Sequence, residues 1–309
     1  IGLEPLYFIR RQVVFLALAI ITMLGISLLS PRDIRRLAAL AFLCGIVSLL
    51  IVLLIGAEAK GARRWLFIGG LSVQPSEFVK PVFAVMTAWA LARKTELPGF
   101  PGFRVAIGLY ILFVALLMLQ PDFGMTMTVS LVWGAQMFLA GLPLLWIMVA
   151  AIGGVIGVAG AYTLLPHVAK RINTFLDPEQ GDTYQVQRSM EAFNHGGLLG
   201  VGPGEGTVKL VLPDSHTDFI FAVAGEEMGA VACLVIIILF AMVVLRGFVR
   251  MQRAQDVFIV YAVSGLLMQF GLQACINIGV ALHLFPTKGM TLPFISYGGS
   301  SMLAIALAM

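Results

Sequence analysis

The residues able to do chemistry in this sequence are charges placed where charge is expensive. Asp218 closes the run Pro213-Asp214-Ser215-His216-Thr217-Asp218 and stands directly before a long apolar stretch. Capping a helix N-terminus accounts for one oxygen-bearing residue there, but not for the whole His-Thr-Asp run. Glu226 and Glu227 follow about two turns later, still inside that stretch. Glu77 and Lys80 interrupt the start of another one. Three residues apart, they share a helix face and can neutralise each other. They read either as a structural ion pair or as the wall of a polar cavity entering the membrane from outside. Lys288, in Pro286-Thr287-Lys288-Gly289, is either an interfacial lysine reaching for water or a cation for an anionic ligand. Arg63 and Arg64 carry forked donors suited to a phosphate. Trp65 beside them is either a membrane anchor or part of the same site.

Several familiar chemistries are excluded. The chain has no Ser-x-x-Lys, no Gly-x-Ser-x-Gly, no His-Glu-x-x-His and no Walker A pattern. Those absences remove penicillin-binding transpeptidases, α/β-hydrolases, zinc proteases of that type and P-loop enzymes. The glycines at 196, 197, 200, 202, 204 and 206 follow no strand, so they predict a flexible surface loop and not a nucleotide site. Cys44, Cys233 and Cys275 lie far apart in apolar stretches, which suits neither a disulfide framework nor a zinc site. What remains is an external pocket at a membrane surface, with cations for a diphosphate and one carboxylate. From the residues alone, that pocket binds or processes an anionic lipid.

The elements that must position these groups are membrane helices. Sixty per cent of the 309 residues are apolar and twelve per cent are charged, too little polarity for a soluble globule of this length. Uncharged runs long enough to cross a bilayer occur at 13–30, 37–57, 105–121, 228–245 and 257–285. The run 123–169 holds two crossings, broken at Ala140-Gly141-Leu142-Pro143 because proline disfavours a helical residue before it. The stretch 75–92 and a last run beginning near Gly289 complete nine transmembrane helices in an all-α, polytopic membrane protein. The chain reads as a single membrane domain over 1–309. No internal repeat argues for an inverted-repeat transporter. The loops 31–36, 93–104 and 246–256 hold nine basic and three acidic residues, which makes their side cytoplasmic. The loop around Lys288 and the long loop 166–217 then face outward, and a loop of that length is usually functional. Ile1 and Met309 both read as cut edges of a longer chain.

At these residues the sequence resembles a known family. Lys60-Gly61-Ala62-Arg63-Arg64-Trp65, Gln74-Pro75-Ser76-Glu77-Phe78-Val79-Lys80, Gln120-Pro121-Asp122-Phe123-Gly124, 213–227 and 286–301 are similar to motifs of the SEDS cell-wall polymerases. The stretches 202–209 and 286–301 favour the FtsW branch, of cell division, over the RodA branch, of elongation. The resemblance spans the whole chain and implies a ten-helix fold, of which nine helices are present here. It implies a peptidoglycan glycosyltransferase that polymerises lipid II, a disaccharide-pentapeptide on undecaprenyl diphosphate, at the outer face of the bacterial inner membrane.

By the same resemblance the family's catalytic aspartate corresponds to Asp218, its membrane Glu and Lys to Glu77 and Lys80, its external lysine to Lys288 and its tryptophan to Trp65. Arg63, Arg64, His216 and Thr217 join these as substrate-binding candidates. The implied partners are lipid II, a class B penicillin-binding protein (FtsI-like) that supplies the missing transpeptidation, and other division proteins; nucleic acid is not among them. No cofactor is assigned by this reading. A divalent cation, Mg or Mn, is the alternative organiser, although no dense ligand cluster requires one. A lipid II flippase and a non-enzymatic division scaffold are the competing readings. A flippase should tolerate loss of a general base better than loss of its cations, and a scaffold should tolerate both.

Overall fold

The computed structural model describes residues 7–59, 62–68, 71–164, 168–169, 172–173, 175, 184–286 and 289–309. In chain order they form α1 (Tyr7–Ser27), α2 (Pro31–Ile55), β1 (Ala57–Ala59), β2 (Ala62–Ile68), β3 (Leu71–Val73), α3 (Pro75–Glu96), α4 (Gly102–Leu119) and α5 (Phe123–Leu139). There follow α6 (Leu144–Leu164), α7 (Tyr184–Gly196), a short 3-10 turn at Val208–Leu210, α8 (Ile220–Met251), α9 (Val257–Ala281) and α10 (Gly299–Ala308).

Among the described residues, α1, α2, α4, α6, α8 and α9 are long and apolar enough to cross a membrane. The shorter apolar helices α5 and α10, and α3 with its buried charges, occupy the places of the three other expected crossings, α10 being too short at ten residues to cross by itself. The protein is a multi-pass membrane protein. Its outward leucines fit that reading: Leu40, Leu43 and Leu54 are 60%, 62% and 77% exposed. In water such a surface would drive aggregation, whereas lipid is its natural solvent.

The expected break at 140–143 falls where the structure ends α5 and starts α6. Three expectations change. The final helix starts at Gly299, ten residues later than expected, because 289–298 is held in irregular backbone. The external stretch 57–73 folds into an antiparallel three-stranded sheet of order β1-β2-β3, with Ala57 opposite Trp65 and Leu66 opposite Val73. The long loop contains a helix, α7, whose Val186, Ser189 and Ala192 are buried at helical spacing.

The chain divides into two compact units. The first comprises 1–141, 244–271 and 297–309. Its apolar core joins Phe42 and Leu49 of α2, Val79 and Phe83 of α3, Phe113 and Leu117 of α4, and Met125 and Val129 of α5. Buried amides fasten these helices to one another. Gln136 donates to the carbonyls of Ala84 (2.9 Å) and Tyr261 (3.0 Å), and Gln120 donates to that of Leu49 (3.1 Å). Such bonds are the usual polar glue between helices that gain nothing hydrophobic by leaving lipid. Ser30 caps α2 by accepting the Asp33 N–H (3.3 Å), with Pro31 in the first turn.

The second unit comprises 142–243 and 272–296. Its core packs Phe219, Phe221 and Cys233 of the α8 segment with Ala192 of α7, Ala274 and Val280 of α9, and Leu212 and Leu292 of the loops.

Candidate active site

The second unit builds its site on a broken helix. Within α8, Gly229 has φ 79° and ψ 178°, so residues 220–228 and 230–251 are separate helical pieces. The break leaves two carbonyls and two N–H groups without their intrahelical partners, and the glycine-rich loop replaces them. The N–H groups of Val201 and Gly202 donate to the carbonyls of Glu226 (3.0 Å) and Glu227 (3.1 Å). Those of Ala230 and Val231 donate to the carbonyls of Gly197 (2.9 Å) and Leu198 (3.2 Å). The four bonds stand in for 230→226 and 231→227, which is how a broken span satisfies its backbone in lipid.

The glycines are what permit this approach. A Cβ on Gly200 would sit 2.2 Å from the Glu227 carbonyl oxygen, and one on Gly196 would sit 2.0 Å from that of Gly225. The expectation of a slack surface loop is therefore corrected. The run is seated on the helix it repairs, and its missing side chains are the reason it fits.

Glu226 finishes the repair. It is fully buried. Its Oε1 accepts the N–H groups of Thr207 and Val208 (both 2.8 Å) and Oε2 that of Lys209 (3.0 Å), while Nδ1 of His195 lies 3.0 Å from Oε1. Glu227 pairs with the Lys209 ammonium. The loop is thus tied to α8 through both its backbone and its carboxylates.

Asp218 stands at the head of this assembly, half-buried, just before α8 begins. Its backbone is gripped from both sides. Its N–H donates to the Asp214 carbonyl (3.0 Å), and its carbonyl accepts from Nδ2 of Asn277 (2.9 Å). The same Asn277 amide donates to the Met290 carbonyl (2.5 Å). The Ser296 hydroxyl donates to the Thr217 carbonyl (2.6 Å) and accepts the Leu292 N–H (2.7 Å). Gln273, one turn before Asn277, donates to the Thr291 carbonyl (3.1 Å). Two amides of α9 therefore hold the irregular 289–296 segment, and through it residues 217–218. At Gly289 this segment passes so close to Asp218 that a Cβ there would lie 2.9 Å from Oδ2.

The structure thus brings Asp218 and Thr217 together with Asn277, Ser296 and Gly289. His216 is exposed at the surface of the same turn. Lys288 lies outside the described residues. Asn277 and Gln273 were not singled out in the sequence. Two buried amides four residues apart in an apolar span were the available signal.

The remaining candidates belong to the first unit. Nζ of Lys80 lies 2.8 Å from Oε2 of Glu77, both side chains being almost wholly buried. The gap beside Lys80, bounded by Phe83, Thr128, Val132 and Gln269, is too small for a water molecule. On β2, alternation sends Arg63 and Trp65 to one face and Arg64 to the other. Arg64 donates from Nε to the Gln120 carbonyl (3.2 Å) and from Nη2 to the Pro121 carbonyl (2.5 Å), with Asp122 3.9 Å away. Its fork staples the sheet to the α4–α5 turn. Arg63 is exposed and makes a loose contact with Glu58 at 3.8 Å. Trp65 is half-buried.

A polytopic helical membrane protein with a broken helix, a braced glycine loop and a carboxylate at the helix head is the class that fold and site define. Residues 2–309 match the family described as cell cycle protein, FtsW/RodA/SpoVE. The chain belongs to that family. It is 46% identical over 308 residues to a protein of Caulobacter vibrioides named "Probable peptidoglycan glycosyltransferase FtsW", covering 99% of this chain and 78% of that one. A protein of the same name from Saccharophagus degradans is 38% identical, covering 96% and 80%. Among solved structures, the chain matches one of a peptidoglycan synthase complex that coordinates polymerization and crosslinking, with TM-score 0.81 and 29% identity, covering 99% of this chain and 88% of that one. It also matches the rod shape determining protein RodA of Thermus thermophilus, with TM-score 0.72 and 26% identity, covering 99% and 86%.

Proposed function

We propose that Asp218 is the general base with which this chain, a peptidoglycan glycosyltransferase of septal cell-wall synthesis, polymerises lipid II. The observation that carries the reading is the grip on residue 218. A half-buried carboxylate at a membrane helix head is held by its backbone on both sides, and a bare glycine backbone passes beside it. A positioned carboxylate can take the proton of a sugar 4-hydroxyl as that oxygen attacks the anomeric carbon of a second lipid II. The anomeric C–O bond breaks and undecaprenyl diphosphate leaves with the electron pair. Cations must neutralise the charge that grows on the diphosphate. Lys288 and Arg63 are proposed for that work, with Trp65, His216 and Thr217 lining the substrate's path. Lys80 with Glu77 keeps a charged pair within the membrane near the lipid. Arg64 acts by positioning β2.

The proposed orientation puts this site on the periplasmic side of the inner membrane, at the division site. A class B penicillin-binding protein, FtsI-like, would crosslink the strands made here. A divalent cation, Mg or Mn, would act by organising the diphosphate. The test uses purified protein and lipid II in detergent. Asp218→Ala is expected to yield no glycan polymer while inserting and melting like the wild type. Polymer at the wild-type rate from that variant would remove Asp218 from the role.

A further inference from the structure

A second concentration of charge lies outside the site just described. In the first unit, the opening turns of α2 and the closing turns of α3 frame a cavity of about 420 Å³ lined by Arg32, Arg35, Arg36, Trp89, Arg93 and Glu96. It is an open groove, accessible from the surface, and not an enclosed pocket. Four guanidinium groups face a single carboxylate, so the lining carries a net charge of about +3.

Two of the arginines already have work. Arg35 donates to the Pro31 carbonyl (3.2 Å) and lies over the Phe258 ring at 4.8 Å. Arg93 pairs with Glu96 at 3.1 Å. Arg32 and Arg36 are exposed and form no ion pair among the described residues. Asp33, the carboxylate nearest them in sequence, accepts from the Ser30 hydroxyl at 2.6 Å. Two guanidinium groups are thus left for a ligand, at a helix start whose backbone also favours negative charge.

We propose that this cavity binds the head group of a phospholipid bearing two phosphates, of the cardiolipin type. The forked donors of Arg32 and Arg36 match one phosphodiester each. The cavity also lies where a lipid can reach it. Immediately after Arg36, α2 turns outward Leu37, Leu40 and Leu43, 46%, 60% and 62% exposed, a surface fit for acyl chains. Trp89 lines the same cavity, and an indole is the side chain that favours the boundary between head groups and hydrocarbon. A soluble acidic peptide would use the arginines alone, whereas a lipid would use both the arginines and the apolar row beside them. The loop charges assign this end of the helices to the cytoplasmic leaflet, where basic pockets between spans recruit anionic lipid. Only the choice of leaflet depends on that orientation.

The test follows the melting temperature of the full chain in neutral detergent as cardiolipin, phosphatidylcholine, inorganic phosphate or a polyglutamate peptide is added. Cardiolipin is expected to raise the wild-type melting temperature, and phosphatidylcholine, phosphate and polyglutamate are not. R32Q/R36Q should weaken the apparent cardiolipin affinity about 30-fold and R36Q alone about fivefold, with the lipid-free melting temperature unchanged. Added salt should weaken the wild-type response. An equal cardiolipin response in wild type and both variants would overturn the proposal. So would phosphate or polyglutamate matching cardiolipin, since the site would then take a soluble anion or a partner peptide. Because polymerisation is not read, this outcome is independent of the role of Asp218.

Discussion

Two carboxylates on one stretch of chain, Asp218 and Glu226, are used in contrasting ways. Glu226 is fully buried and its oxygens receive three backbone N–H bonds and a histidine. Asp218 is half-buried, and the framework grips its backbone through Asp214 and Asn277. A carboxylate whose oxygens take several donors is committed to holding the backbone around it. Asp218 is placed by its main chain, which fixes where its carboxylate stands. With the role proposed for Asp218, the contrast separates a brace from a reagent within eight residues.

Breaking the brace should produce the largest loss of stability. Glu226→Ala strands the N–H groups of Thr207, Val208 and Lys209 and is expected to cost at least about 3 kcal/mol. The readout is a lowered melting temperature in detergent, with protease cleavage appearing within 197–209. Gly229→Ala comes next. It forces a side chain onto φ 79°, and its Cβ would meet the Leu198 carbonyl oxygen at 2.4 Å. Backbone strain alone should cost about 1–3 kcal/mol, measured by the same melt. The smallest effect on stability is expected from Asn277→Ala, about 1–2 kcal/mol for carbonyls left short of a donor. That variant sharpens the comparison, because its rate of polymerisation should fall further than its melting temperature explains. A rate loss no greater than the loss of folded protein would make Asn277 structural only.

Much of this was legible in advance, for physical reasons. Membrane spans announce themselves by composition, and Pro143 marks the α5–α6 break. The ionic partnership of Glu77 and Lys80 follows from their spacing, and the position of Asp218 at the head of α8 from its place before an apolar run. The repair of α8 was not legible. Gly229 is harmless in a sequence until a second segment offers its backbone to the broken turn, and that segment lies about 30 residues away. The sheet at 57–73 was hidden because its strands are short and its pairing partners lie within one interfacial loop. Helix α7 was readable in principle from Val186, Ser189 and Ala192, but the long polar loop around it masked the period. Arg64 looked like a phosphate ligand because its acceptors, two backbone carbonyls near the Gln120-Pro121 turn, carry no sequence signature.

The most direct test of the account sets the two carboxylates side by side as amides, with lipid II polymerisation scored at matched amounts of folded protein. Asp218→Asn preserves shape and removes the base, so it is predicted to melt like the wild type while losing polymerisation by about 10²-fold or more. Glu226→Gln is predicted to melt lower, yet to polymerise in proportion to the protein that remains folded. Wild-type polymerisation by Asp218→Asn, or its abolition in folded Glu226→Gln, would contradict the division of roles.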